Sequence, residues 1–343
     1  MPYNSRTTVR VFIVATIIIY IIMLFLNSDG RGIYISQIQK KMQKIKTNIE
    51  ADQSKPESGN EPPTVGESGG TLEQRNPMAS VGGSRGTLKR RLPTAIIIGV
   101  GKCGTSALIH MLSMHPQIVE APGEVEYFSR KLTYFSYGLE WYRKRMPLSY
   151  EDQITIEKTP QYFKIPGASN RIFEYNATIH LILIVKDPVE RLISRYAHDK
   201  NVKNGKIKPF EELVIDSNGA VNIQDHQVML GIYWRYLKDY LEVFQRDQIL
   251  VVDGKKLVQN PVPVIEKVEK FLKVNESITT SQFYFNETKG FWCSVTFGCM
   301  GANKGLKHED VRPEVISILR KFYAPHNKEF YKLTGINFKW PEK

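Results

Sequence analysis

The chain has 343 residues, 42% of them hydrophobic, enough to bury a sizeable core in one large domain or two small ones. The net charge is +12, with 13 basic and 7 acidic residues in 1–92 and 34 and 28 in the rest, so the globular part is mildly basic and suits an acidic partner: nucleic acid, anionic membrane or a sulfated glycan. Of the three cysteines, Cys103 stands alone, while Cys293 and Cys299 cannot build a tetrahedral zinc site without other ligands. A small disulfide loop is the better reading of that pair in an oxidising compartment.

The N-terminus points to such a compartment. Val11 to Leu26 is an uninterrupted apolar run, preceded by Arg6 and Arg10 without an acidic residue and followed by Asn27, Ser28 and Asp29. The positive flank stays cytoplasmic, so the remainder faces the lumen. The run is short against the ~20 residues that span an average bilayer, a shortfall that thin membranes tolerate. A cleaved signal peptide is the alternative, and it also delivers the rest of the chain to the secretory lumen. Three Asn-x-Ser/Thr triplets, at Asn176, Asn275 and Asn286, fit that placement as glycosylation acceptors.

The expected layout is a cytoplasmic tail over 1–10, a transmembrane signal anchor over 11–26, a lumenal stem and linker over 27–91 and a folded domain over 92–343. Within the stem, Ile35, Ile38, Met42, Ile45 and Ile49 make a heptad-like seam about two heptads long, shorter than sustained coiled coils require. From Ala51 to Arg91 the chain is rich in Gly, Ser, Pro, Glu and Gln and reads as a flexible linker.

Beyond it, short apolar runs alternate with helical patterns. The predicted elements are a strand at Ala95–Gly99, a helix over Thr105–Met114, a strand at Ile179–Val185 and a helix from Pro188 to about Lys200. A strand at Ile249–Asp253 and a helix over Pro263–Leu272 follow. Proline suits a first helical turn. Apolar runs followed by helices imply parallel strands covered on both faces, hence an α/β domain.

The most informative segment is Ala95-Ile-Ile-Ile-Gly-Val-Gly-Lys-Cys-Gly-Thr-Ser-Ala107. A buried strand runs into Gly99, Gly101 and Gly104, with Lys102 among them and two hydroxyls opening the helix. Glycines let backbone N–H groups turn inward, and the helix start and Lys102 add positive charge, which makes a phosphate cradle. A Walker A loop places lysine after the last glycine and Ser/Thr next. Here Lys102 precedes Gly104 and Cys103 follows it, so a nucleotide kinase or NTPase fits poorly. A strand–helix turn without ligand is the bland alternative.

Three further segments add to it. Glu124-Val-Glu126-Tyr-Phe128, read as extended, puts Glu124 and Glu126 on one side. Ile156-Glu-Lys-Thr-Pro-Gln-Tyr-Phe163 offers Lys158, with Pro160 keeping its predecessor out of the helix. Leu183-Ile-Val-Lys-Asp-Pro-Val-Glu-Arg-Leu-Ile-Ser194 sets Lys186 just past a strand end, where α/β proteins bind ligands, and Ser194 two turns into a helix.

From about Leu92 to the C-terminus the chain resembles the heparan sulfate glucosamine 3-O-sulfotransferases. The resemblance is carried by GVGKCGTSALIHMLSMHP, GLEWYRKRMP, IEKTPQYF, VKDPVERLISRY, VVDGKKL, FLKVN and FYFNETKGFWC. It implies a P-loop-like sulfotransferase fold with a central, mostly parallel sheet flanked by helices, no metal, and 3′-phosphoadenosine 5′-phosphosulfate (PAPS) as donor. Heparan sulfate is the implied acceptor, and the implied location is the Golgi membrane as a single-pass type II protein.

Carried over by position, Gly101, Lys102, Cys103, Gly104, Thr105 and Ser106 form the phosphosulfate loop. Lys186 and Ser194 hold the 3′-phosphate, and Trp292 lines the adenosine site. Lys304, Gly305, Leu306, Lys307 and His308 form a late phosphate-contacting loop. Glu124 matches the catalytic base, with Lys102 and Lys158 beside the reacting groups, and Glu126, Lys158 and Lys164 face the acceptor.

The chain departs from the family at several places. Gly101 replaces a basic residue, Cys103 a glycine, Ser106 an arginine, Glu126 a histidine, Ser129 an acidic residue, and Lys186 and Leu306 arginines; the paired cysteines are also closer together. At Lys186 a bidentate phosphate grip becomes a point charge. These departures bear on efficiency and acceptor preference more than on reaction class. A polyanionic acceptor accounts for basic residues such as Arg143, Lys144, Arg145, Lys200, Lys203, Lys206 and Lys208. Two other readings remain: a PAPS-dependent glycan sulfotransferase acting at nitrogen or another oxygen, and a non-catalytic heparan- or nucleotide-binding relative.

Overall fold

In the computed structural model, which describes residues 86–129, 131–301 and 310–343, all within the unit Val81–Lys343, strand β1 (Lys89–Arg90) precedes the buried strand β2 (Ala95–Gly99). Helix α1 (Thr105–Leu112) and strand β3 (Ile118–Glu120) follow. Helix α2 (Lys131–Lys144), broken at Gly138, leads to strands β4 (Leu148–Ser149) and β5 (Ile154–Lys158). After a 3-10 turn at Tyr162–Lys164 come helix α3 (Ala168–Tyr175), strand β6 (His180–Val185) and helix α4 (Pro188–Val202). Helices α5 (Phe210–Val214), α6 (His226–Leu230) and α7 (Tyr233–Leu241) bridge to strand β7 (Ile249–Asp253) and helices α8 (Gly254–Gln259) and α9 (Val262–Leu272). The hairpin β8 (Phe283–Asn286) and β9 (Phe291–Ser294) and the long helix α10 (Pro313–Thr334) complete the chain. The predicted membrane anchor, the 35–49 seam and the Lys304–His308 loop lie outside the described residues. Among the described residues no helix is long and apolar enough to cross a membrane.

The central sheet has the order β3-β5-β2-β6-β7 and every pairing in it is parallel. All residues of β2 are buried, as are Leu181 to Val185 of β6. Side chains of a strand alternate between faces, so burial of every residue means that both faces are covered. Each fully buried isoleucine or leucine here contributes roughly 1.5–3 kcal/mol. A second cluster, with Val189, Leu192 and Tyr196 of α4 against Val315, Leu319 and Tyr323 of α10, fixes α4 from the side away from the sheet.

The chain leaves β2 toward β3 on one side of the sheet, and β6 is added on the other. The direction of winding therefore reverses at β2, and the crevice above the carboxyl end of such a strand is where open α/β sheets hold ligands. The pairing of β2 with β6 shifts register between Ile97 and Gly99, just before the glycine loop.

The expected linker runs through Arg91, yet β1 lies inside it and pairs antiparallel with β4. Arg90 donates to the Met146 carbonyl and Arg91 to the Ser149 carbonyl. Two residues are too few to show a strand period, and this pairing depends on long-range backbone bonds that composition does not record.

Candidate active site

The loop after β2 takes its shape from two left-handed residues, Lys102 (φ 74°) and Gly104 (φ 111°). The turn is held by the Val100 N–H donating to the Ile184 carbonyl at 2.8 Å and the Cys103 N–H donating to the Val100 carbonyl at 3.0 Å. Cys103 turns into the core, its Sγ 3.8 Å from the Tyr233 hydroxyl, which donates to the Lys186 carbonyl at 3.0 Å. Burial pushes the Cys103 thiol up, against the pull of Arg191, which keeps it a thiol and unreactive. Cys103 therefore plugs the loop into the core and does not line the cavity.

The loop also leans on Gly254, where an added Cβ would stand 1.9 Å from the Cys103 carbonyl oxygen. Helix α1 starts directly from Gly104 with no side chain capping it. The first N–H groups of a helix lack intrahelical acceptors, and the helix dipole there favours an anion.

Above this loop lies a cavity of about 510 Å³, within the range usual for small-molecule sites. Gly101, Lys102, Gly104, Thr105 and Ser106 line its floor, and Lys186 and Ser194 stand on the β6–α4 side. Trp292, Phe291 and Gly290 come from the hairpin, and Glu124, Gln161 and Lys164 from the opposite edge.

Helix α4 is set by Asp187, whose carboxylate accepts from the Val189 N–H at 2.7 Å, and by Pro188 in the first turn. Ser194, Arg195 and His198 then face the cavity at helical spacing. Beneath them the fully buried Arg191 donates to the carbonyl and to the side-chain oxygen of Gln227, which also lines the cavity. Burial, and then the neighbouring Arg195 and Arg191, push the Lys164 ammonium down; an anion in the cavity would relieve that repulsion.

At the rim, Lys158 Nζ donates to Glu124 Oε1 at 2.6 Å. The lysine side chain is 11% exposed and the glutamate 40%. Lys158 thus reaches the cavity through Glu124 rather than lining it.

Glu126 does not share that side. Its φ is 55°, its N–H donates to Thr159 Oγ1 at 3.3 Å, and it contributes nothing to the cavity lining. The extended backbone expected from alternation ends at Val125, because the chain turns there to bury Tyr127 and Phe128. Ser129 closes the turn, donating to the Glu126 carbonyl at 2.9 Å.

Trp292 is anchored by its indole N–H donating to the Gln259 carbonyl at 2.9 Å and packs edge-on against Phe285. The next residue, Cys293, is joined to Cys299 by a disulfide, which ties the end of β9 to the segment carrying Met300, another lining residue. Of the glycosylation triplets, Asn275 is exposed, whereas the Asn176 side-chain oxygen accepts from Thr178 N and Oγ1 and that of Asn286 from Lys289 N. Among the described residues no group of three or more His, Cys, Asp or Glu is arranged to hold a metal ion.

Arg195, His198, Gln227, Lys289 and Leu257 were not singled out from the sequence. For Arg195 and His198 the signal was present, since they lie one and four residues beyond Ser194. Gln227 and Lys289 reach the cavity from distant segments and left no local mark.

The sulfotransferase domain family matches residues 92–326. Mouse and human heparan sulfate glucosamine 3-O-sulfotransferase 5 are each 43% identical over 255 residues, covering 72% of this chain and 73% of theirs. Mouse heparan sulfate glucosamine 3-O-sulfotransferase 3A1 is 39% identical over 254 residues, covering 72% of this chain and 64% of the relative. Among solved structures, a sulfotransferase from Alicyclobacillus acidocaldarius superposes with a TM-score of 0.57 at 20% identity, over 72% of this chain and 98% of that one, and so shares the fold. With these identities over most of the globular region, the chain belongs to the heparan sulfate glucosamine 3-O-sulfotransferases.

Proposed function

We propose that this protein transfers the sulfuryl group of PAPS to the 3-hydroxyl of glucosamine residues in heparan sulfate. The observation that carries the reading is one cavity lined by Lys102, the uncapped start of α1, Lys186, Ser194 and Trp292, with Glu124 at its edge. In this assignment the Gly101–Ser106 loop receives the 5′-phosphosulfate, Lys186 and Ser194 the 3′-phosphate, and Trp292 the adenine. Lys304, Gly305, Leu306, Lys307 and His308 are assigned to the donor phosphates as well. The fit is chemical: a nucleotide with two phosphate-bearing ends needs cationic and N–H donors at two places and an apolar face between them.

The donor supplies an activated sulfuryl group, and the protein supplies position and charge. The sugar hydroxyl oxygen forms a new bond to sulfur while the bond from sulfur to the phosphate oxygen breaks. The hydroxyl proton goes to the Glu124 carboxylate, whose Oε1 is held by Lys158, leaving Oε2 to accept it. Negative charge grows on the departing phosphate oxygen, where Lys102 and the α1 start oppose it. Lys164, with Arg195 beside it, meets the anionic acceptor.

We further assign residues 11–26 as a type II anchor in the Golgi membrane, with the catalytic domain lumenal. Lumenal residence suits the disulfide between Cys293 and Cys299 and makes the exposed Asn275 an accessible glycosylation acceptor. The disulfide closes a short loop, so its stabilisation lies toward the low end of the ~2–4 kcal/mol typical of such bonds. Its use is positional. Replacing both cysteines by serine is expected to weaken nucleotide binding several-fold while turnover at saturating donor changes less, as read by calorimetry with adenosine 3′,5′-bisphosphate.

The direct test is transfer of label from PAPS by the full-length protein in detergent, offered heparan sulfate and, separately, chondroitin sulfate. The reading expects label on heparan sulfate alone. Nucleotide binding without transfer to either glycan overturns it in favour of a binding-only protein.

A further inference from the structure

The most deeply buried carboxylate near the site is one that the proposed chemistry does not touch. Glu157 is 0% exposed. It stands on β5 immediately before Lys158, and because strand side chains alternate, it points to the opposite face. There it meets an aromatic cluster of Tyr127, Phe128, Tyr142, Tyr162 and Tyr175. A carboxyl group in such surroundings is costly unless fully hydrogen-bonded.

Three hydroxyls donate to Glu157. The Tyr142 hydroxyl donates to Oε2. Thr159 Oγ1 donates to Oε1 at 2.6 Å and the Tyr162 hydroxyl at 2.9 Å. Burial pushes the Glu157 carboxyl up, and these hydrogen bonds, with the nearby backbone amide of Val125, pull it back.

One of the three leads to the rim of the cavity. Thr159, having given its proton to Glu157, accepts the N–H of Glu126 at 3.3 Å. The backbone two residues after Glu124 is therefore pinned to the end of β5, the same strand end that sends Lys158 to the Glu124 carboxylate. The Glu124 side chain and the backbone two residues on are both referenced to one strand.

We infer that Glu157 is a positioning residue: through Thr159 it fixes the backbone that presents the Glu124–Lys158 pair to the donor cavity. The inference rests on the assignment of Glu124 as base. Displacements of about 1 Å at a reacting group can cost on the order of 10²-fold in rate, so the role has a kinetic signature that plain support of the core lacks.

The test uses Thr159→Val, which keeps shape and removes the hydroxyl link, Thr159→Ser, which restores it, Glu157→Gln, Glu124→Gln, and the double variant Glu124→Gln/Thr159→Val. For each, kcat, donor KM, nucleotide affinity and the thermal midpoint are measured. Thr159→Val is expected to lower kcat roughly 10- to 10²-fold with donor affinity near wild type and a thermal midpoint lowered by the lost bond to a buried carboxyl. Thr159→Ser should return to within a few-fold, and Glu157→Gln should fall with Thr159→Val. The double variant should be no slower than Glu124→Gln alone, since a misplaced base costs nothing once the base is gone.

A folded Thr159→Val protein with wild-type kcat, failure of serine to rescue, or independent losses in the double variant overturns the positioning role while leaving Glu124 as base. If Glu157→Gln does not fold, the Thr159 pair decides. Wild-type rate in Glu124→Gln removes the base assignment, and the positioning inference with it.

Discussion

Glu124→Gln should lower sulfuryl transfer by about 10²–10⁴-fold, the usual contribution of a positioned proton acceptor, and leave nucleotide affinity unchanged. The amide keeps the shape of the carboxylate, and its oxygen can still accept from Lys158 Nζ, which now sits 2.6 Å from Oε1. The variant therefore holds its place at the rim and loses the ability to take the hydroxyl proton. In the proposed assignment, nucleotide affinity rests on Lys102, Lys186, Ser194 and the start of α1 rather than on this ion pair. Transfer rate at saturating PAPS and calorimetric affinity for adenosine 3′,5′-bisphosphate separate the two effects. Glu126→Gln is the matching control. Its residue turns out of the segment at φ 55° and lines no part of the cavity, so its rate should stay within a few-fold of wild type. An inactive Glu126→Gln beside an active Glu124→Gln would reverse the assignment of the base.

Lys102→Ala should reduce turnover by about 10²–10³-fold, the size of effect seen when one donor to a developing negative charge is removed. Its effect on donor affinity should be smaller, because charge on the bridging oxygen grows as the bond to sulfur breaks. The backbone at Lys102 is left-handed, at φ 74°, a conformation that costs alanine as much as lysine. The substitution therefore changes charge without adding backbone strain. Kinetics at saturating donor and direct nucleotide titration give the two numbers. A loss confined to affinity, with turnover intact, would mean that Lys102 grips the ground state only.

How far the sequence reveals this architecture varies with the physics of each element. Strands β2 and β7 are legible to the residue because they are apolar runs closed by a glycine and an aspartate, β2 buried throughout and β7 in part. Helix α4 is legible from Pro188, while the Asp187 cap appears only in the structure. Strand β5 is not, because Glu157 and Lys158 break its apolar pattern. The carboxylate is tolerated inside only through hydroxyls donated by Tyr142, Thr159 and Tyr162, a compensation that exists in three dimensions alone.

The glycine loop shows the same limit. Its phosphate-cradle chemistry is plain in the residue types, but its left-handed positions fall on Lys102 and Gly104 rather than on every glycine. The residue that makes room for the loop is Gly254, some 150 positions away, beside the Cys103 carbonyl. Alternation misplaced Glu126 because a buried aromatic pair, Tyr127 and Phe128, turns the chain just where the pattern assumed an extended strand.

The position of the transferred group tests the central claim most directly. Heparan sulfate labelled from PAPS by the full-length protein is cleaved to disaccharides, and the label is located on the sugar. The account predicts label on the 3-oxygen of glucosamine. Label on the glucosamine nitrogen, on the 6-oxygen or on the uronic acid would contradict it.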